Sequence, residues 1–334
     1  MKTSRFVQFF LLMCFSVFLF TWGCSREVEV PLPPLPTIEG KPSAATTGCM
    51  FVGAPGSATL TMRLDIYAVD KNGRLISGLG ANNFSIPNDY NRTYNLLKTT
   101  STALTAKAGG YSAMMLMDQS GSIADTDPDD LRIQAGKIFM DYIGTGDVVA
   151  LSTFSGYNDY YFSLRSRFTN QKEGIKKSLD SLSGRVSGGT PLYEATVLAT
   201  NYTAQNAPTS NKAVIVFTDG QASGDLDACI TNAQQKGIPL FTIGLSGSVN
   251  VEVLSRMATE TCGAFFYAKD AEQLVTSFGT LGNLLRGKGQ VYRTEWAIVR
   301  SSGTWRTGEV VTSTIRLSIP NSDPLEVPFW VKVK

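Results

Sequence analysis

The sequence predicts an α/β fold: a doubly wound, mostly parallel sheet inserted in a β-sandwich that the two flanks of the chain form together. Three observations predict it. From Tyr111 to about Arg286, short apolar runs alternate with stretches of helical period, the pattern of a parallel sheet covered by helices on both faces. Residues 58–104, before this region, read as β, and after Gly289 the helical period disappears again. Neither flank is long enough for a sandwich alone, but together they approach the length of one, which favours an insertion over two small β modules.

At the N-terminus, Lys2 and Arg5 precede an apolar run over residues 6–22, closed by Thr21-Trp22-Gly23-Cys24. A charged start, an apolar stretch and a small residue at the cleavage point make residues 1–23 a signal peptide, to be left out of the fold. Gly23-Cys24 resembles the bacterial lipobox, whose cysteine is acylated and becomes the mature N-terminus; Thr21 departs from the aliphatic residue usual there. That resemblance implies lipidation at Cys24, a durable membrane anchor when two or three chains are attached. It also implies a bacterial cell-envelope location, at the outer membrane or cell surface. An unlipidated signal peptide or an uncleaved anchor helix is the alternative.

Residues 24–48 form the next unit, a tether rich in Pro and small residues that includes Pro31-Leu32-Pro33-Pro34-Leu35-Pro36. Such a run suits neither a helix nor a central strand and reads as a semi-extended spacer. Lys2 and Arg5 leave with the leader, so 28 of the 30 basic residues face 28 acidic ones. A neutral chain without a basic tract offers no electrostatic footprint for nucleic acid.

With Cys14 removed and Cys24 acylated, Cys49, Cys229 and Cys262 remain. An odd number in an oxidising compartment suggests one disulfide and one free thiol. Neighbouring α/β units pack side by side, which favours Cys229–Cys262; three buried free thiols are the alternative.

The first β half, residues 49–108, has period-two alternation over residues 60–69 and an Asn72-Gly73 turn leading to Leu75-Ile76 and Phe84-Ser85-Ile86, the signature of a hairpin. In the α/β region the strands are expected at 111–117, 148–154, 213–218, 240–245 and 264–268, with helices at 131–143, 171–182, 192–202, 226–236, 251–259 and 272–285. Asp127 as N-cap, Pro128 at the first helical position and Asp129 and Asp130 in the first turn mark the start of the first helix. The second β half, residues 287–334, has strand-like stretches at 291–299, 309–318 and 327–333.

Oxygen donors recur where these strands end. Asp118, Ser120 and Ser122 follow the first strand, Thr190 follows Ser187-Gly188-Gly189, and Asp219 lies in Thr218-Asp219-Gly220 after another buried strand. Open α/β sheets build ligand sites at such ends, and a set of oxygens suits Mg²⁺, Mn²⁺ or Ca²⁺. Asp-x-Ser-x-Ser, then Gly-Gly-Thr-Pro, then Thr-Asp-Gly in this order resembles the von Willebrand factor A domain over residues 109–286, whose metal-ion-dependent adhesion site these motifs form. The resemblance implies that Ser120, Ser122 and Thr190 touch the metal through their hydroxyls, and that Asp118 and Asp219 act directly or through water. In integrin β-type relatives a neighbouring metal site uses two adjacent acids; here Asp125 matches the first, but Thr126 stands at the second, so helix capping by Asp127, Asp129 and Asp130 is preferred. In relatives the last helix, here residues 272–285, shifts when the metal binds its ligand.

The chain has no histidine, which excludes Ser-His-Asp and Cys-His catalysis and His-ligated zinc. The expected function is therefore that of a membrane-anchored, non-enzymatic adhesion or protein-binding module, its protein ligand supplying an Asp or Glu carboxylate to the metal. A periplasmic assembly factor for a membrane complex is the alternative, and a metal-dependent hydrolase a further one.

Overall fold

The computed structural model describes residues 40–334 apart from 157–160, 223, 246–248 and 321. The expected leader, Cys24 and the Pro-rich run lie outside the described residues. In chain order come β1 (Ser43–Val52), β2 (Thr59–Val69), β3 (Phe84–Ser85), β4 (Arg92–Ala103) and β5 (Tyr111–Asp118). Then follow the single turn α1 (Ile123–Thr126), α2 (Leu131–Asp141), β6 (Val148–Phe154), β7 (Ser163–Thr169), α3 (Lys172–Asp180), α4 (Leu192–Asn206), β8 (Asn211–Thr218) and α5 (Leu226–Lys236). The chain ends with β9 (Leu240–Leu245), α6 (Val251–Glu260), β10 (Ala264–Ala268), α7 (Ala271–Leu285), β11 (Gln290–Arg300), β12 (Val310–Leu317) and β13 (Leu325–Lys332).

One 10-stranded sheet has the order β4-β11-β2-β1-β10-β9-β8-β5-β6-β7. Its centre, β10-β9-β8-β5-β6, is parallel throughout. Burial on both faces explains the unbroken apolar runs there: Met115, Met117, Ile215 and Phe217 face one core with Phe139 of α2 and Phe278 of α7, whereas Met114, Leu116, Val214 and Val216 face another with Leu192 of α4 and Leu254 of α6. Alternate residues of a strand point to opposite faces, so each run serves two helical layers at once.

The flanking strands extend this sheet: β1 pairs antiparallel with β10 and with β2, β2 with β11, and β11 with β4. A second sheet, β13-β12-β3, covers their outer half around Leu64, Trp296, Val311, Ile315 and Phe329. The two flanks thus build facing β layers, as expected of a sandwich, with one layer continuous with the parallel sheet.

Four local expectations are corrected. The tether was expected to run to residue 48, but Ser43–Val52 is a strand; its small residues hid it, and they are small because Ala44 and Ala45 lie beneath opposite cores. The edge strand β7 was not anticipated, its polar residues tolerated because it has a partner on one side only. Helix α2 starts at Leu131, after Asp130 in a left-handed conformation (φ 53°). Asp127 still caps it, from further back, accepting the N–H groups of Leu131 (2.7 Å) and Arg132 (3.1 Å), while the Asp130 carboxylate pairs with Arg132.

The fourth correction concerns the disulfide. Cys229–Cys262 does not form: Cys262 is bonded to Cys49, and Cys229 is a buried free thiol. Because β1 lies beside β10, the Gly48 N–H reaches the Gly263 carbonyl at 2.8 Å, which sets Cys49 against the turn holding Cys262. Cys229 instead points from α5 into the core beneath the sheet. Most of β1 falls in the Pro- and small-residue-rich stretch expected to be a tether, which hides the strand that carries Cys49 to Cys262.

Candidate metal centre

Three loops meet at the carboxyl ends of β5, β8 and β6. The first leaves β5 at Asp118, whose side chain is fully buried, as is that of Asp219. One Asp118 carboxylate oxygen accepts the Ser120 N–H at 2.8 Å and the other the Thr218 hydroxyl at 2.6 Å. The Ser120 and Ser122 hydroxyls lie 3.2 Å apart. Asp219 accepts the Gln221 N–H at 3.1 Å and sits 3.4 Å from the Thr126 hydroxyl, on the turn that follows Ser122. Asp118, Ser120, Ser122 and Asp219 therefore share one connected neighbourhood.

Thr190 reaches it through its loop. The Gly188 carbonyl accepts the Gly121 N–H at 2.9 Å, the Ser187 N–H reaches the Gln119 carbonyl at 2.9 Å, and the Gly189 carbonyl accepts the Gly156 N–H at 2.7 Å. A Cβ on Gly121 would stand 3.3 Å from the Gly188 carbonyl oxygen, and one on Gly156 2.9 Å from the Gly189 nitrogen. The glycines allow this backbone contact, and Thr190 follows directly, half-buried, before Pro191 and α4. Gly220 makes the turn after Asp219 with φ +75°, a conformation that other residues rarely adopt.

Burial pushes the Asp118 carboxyl up to about 6; the Asp219 charge adds to this, and the hydrogen bonds from Ser120 and Thr218 oppose it. Two desolvated carboxylates close together are costly, and the side-chain groups of Ser120, Ser122, Thr126 and Thr218 beside them are all hydroxyls. That chemistry fits a hard divalent ion. Among the described residues, no group of three or more His, Cys, Asp and Glu side chains occurs anywhere, so a metal here would rest largely on hydroxyls.

The family model of the von Willebrand factor type A domain matches residues 114–280, half of the chain. The chain belongs to the von Willebrand factor type A domain family. Calcium-activated chloride channel regulator 1 of Equus caballus is 26% identical over 234 residues, 65% of this chain and 24% of that protein. The chain thus spans about a quarter of the length of that regulator. Among solved structures, a von Willebrand factor type A protein from Catenulispora acidiphila matches 86% of this chain and 74% of its own at 10% identity, with a TM-score of 0.48. The vWF domain of the type V pili tip protein Mfa5 from Porphyromonas gingivalis matches 54% of this chain and 96% of its own at 14% identity, with a TM-score of 0.44.

In this von Willebrand factor type A domain two residues that sequence reasoning missed organise the site. Thr218 belongs to the Thr-Asp-Gly motif and is the hydroxyl that holds Asp118; its place just before Asp219 was the available signal. Arg132 carried a weaker signal, a cation in the first turn of α2, which holds a second one at Lys137. It is fully buried, with Nε on the Asp118 carbonyl (3.2 Å) and the rest of its guanidinium on Asp127 (2.8 Å), Asp130 (2.7 Å) and Gln119 (2.6 Å). These bonds tie the loop after Asp118 to α2. Asp127 is consumed by Arg132 and the helix start, which supports capping over a second metal site at Asp125 and Asp127.

Proposed function

We propose that this chain is a bacterial cell-envelope lipoprotein, anchored through Cys24, whose von Willebrand factor type A domain binds a protein partner through a divalent cation. Asp118, Ser120, Ser122, Thr190 and Asp219 hold the ion. The observation that carries this reading is the pair of fully buried carboxylates, Asp118 and Asp219, whose side chains are set among the hydroxyls of Thr218 and Thr126.

The residues around the site do the positioning. Thr218 and the Ser120 N–H fix both oxygens of Asp118, Arg132 fixes its backbone, and Gly121 and Gly188 dock the Thr190 loop. Bound there, Mg²⁺, Mn²⁺ or Ca²⁺ supplies an electrophilic position for an Asp or Glu carboxylate of the partner. Both oxygens of Asp118 are engaged, by Thr218 and the Ser120 N–H, and on this reading the site serves binding rather than turnover.

The test is capture of partner proteins from envelope extracts in Mg²⁺ and in EDTA, with Asp118→Ala in parallel. Partners held in Mg²⁺ are expected to be lost in EDTA and by the variant. A folded Asp118→Ala protein that retains them would overturn the reading.

A further inference from the structure

Exposed charge is divided unevenly around the candidate metal centre. Helices α4, α5 and α6 start at the carboxyl end of the parallel sheet; the Asn250 N–H, just before α6, reaches the Asp219 carbonyl at 3.0 Å. Their beginnings bring exposed acids to that end: Glu194 in the first turn of α4, Asp225 at the N-cap of α5 and Glu252 in the first turn of α6. Asp125 and Asp129, also exposed, follow Ser122. Acids at helix starts complement the helix dipole. The lysines beside the end of β10 are already engaged, Lys41 by Asp270 at 2.7 Å and Lys269 by Glu326 at 2.5 Å.

The β7 flank carries the opposite sign. Arg165 and Arg167 are exposed on this edge strand, and Arg185 is exposed on the loop that leads from α3 to Thr190. Strand β7 lies two strands from β5, roughly 10 Å. Arg165 and Arg185 are both mounted around Gln119, the residue after Asp118. The Gln119 N–H reaches the Phe154 carbonyl at 2.9 Å, and the neighbouring Thr153 hydroxyl accepts from Arg165 Nε at 3.1 Å. The Gln119 side-chain amide donates to the Leu182 carbonyl at 3.0 Å, and its backbone carbonyl accepts the Ser187 N–H at 2.9 Å; Arg185 stands between those two contacts. Among the described residues none of the three arginines forms an ion pair.

We infer that the protein partner lays an acidic segment over the β7 flank, giving one carboxylate to the metal and setting further Asp or Glu side chains against Arg165, Arg167 and Arg185. This rests on the metal-dependent binding proposed above. Opposite charges across an interface steer encounter, and like charges facing each other are costly. An acidic segment turned toward Glu194, Glu252 or Asp129 meets repulsion, whereas one turned toward β7 meets three cations. The rim thus selects the direction of approach by penalising the others.

The experiment titrates the full chain, in non-ionic detergent, with a labelled oligoglutamate peptide and follows fluorescence anisotropy. A second peptide carries a single Glu among Ser and Gly. In Mg²⁺ the oligoglutamate is expected to bind more tightly than the single-Glu peptide. Joint replacement by Arg165→Gln, Arg167→Gln and Arg185→Gln should weaken it about tenfold, the sum of three modest exposed charge contacts. The same three positions changed to Lys should recover most of that loss. Unchanged oligoglutamate binding in the Gln variant, equal loss in the Lys variant, or no binding to the natural chain would overturn the inference. An oligothymidylate that bound as tightly would mark a general polyanion surface and overturn it too. Oligoglutamate binding that survives both EDTA and Asp118→Ala would instead overturn the metal-dependent reading on which the inference rests.

Discussion

Arg132 donates from Nε to the backbone carbonyl of Asp118 across 3.2 Å, from a side chain with no exposed surface. A buried arginine is tolerated only when its partners are in place. Here Asp127, itself almost wholly buried, supplies the opposite charge at 2.8 Å. Removing one member strands the other. Arg132→Met is expected to lower stability by about 3–5 kcal/mol, the usual cost of leaving one charge of a buried pair alone. Urea denaturation measures it. Arg132→Lys should recover only part of the loss, because an ammonium cannot form the same fork of bonds.

Divalent ion should stabilise the fold through Asp118. At one hundred times its dissociation constant a ligand adds about 2.7 kcal/mol, so the melting temperature is expected to rise with Mg²⁺. Asp118→Asn should abolish that rise while unfolding in EDTA no earlier than the natural chain, since a neutral amide relieves a buried charge. A full Mg²⁺-induced shift in the variant would remove Asp118 from the donor set.

The Cys49–Cys262 bond closes a loop with a sequence separation of 213. Loop-closure entropy for such a length corresponds to about 5 kcal/mol. Replacing both cysteines by Ala should cost several kcal/mol in denaturant titrations, with peptide mapping under non-reducing conditions confirming which pair is joined. Cys229→Ala should leave that cross-link untouched.

Burial pushes the Cys229 thiol up to about 12. Its pKa in the fold is thus above its value in the unfolded chain, and the folded state prefers the thiol to the thiolate. Cys229 therefore costs no stability below the ordinary thiol range near 9. Stability is lost as pH rises from there toward 12. Cys229→Ala should flatten this alkaline decline in pH-dependent denaturation. At pH 8 the native thiol should resist alkylation, and denaturation should release one reactive group.

The parallel strands were legible because burial on both faces leaves an unbroken apolar run, as in β5 and β8, with little room for misplacement. Asp118, Ser120 and Ser122 are neighbours in sequence, so their proximity needed only a strand end. Thr190 and Asp219 required the further step that parallel strands finish on one side. What stayed hidden depended on contacts between distant segments. Strand β1 opens with Ser-Ala-Ala-Thr-Thr, which reveals no period, and its neighbours β2 and β10 make it a strand. Arg132 gives no sign on its own helix that its partners lie on Asp127 and Asp118. The disulfide followed β1 into obscurity.

The pairing of β1 with β10 also decides how this protein can be cut. A fragment trimmed to residues 109–286 would keep every candidate metal ligand yet lose the strand that closes Ala264–Ala268 on its outer side. It would then carry an open row of backbone donors and acceptors where the natural chain has a hydrogen-bonded and covalently pinned neighbour. Such a row is a template for another chain. The excised piece would self-associate through its raw flank, and any adhesive behaviour it showed in a binding assay would belong to the scissors, not to the molecule.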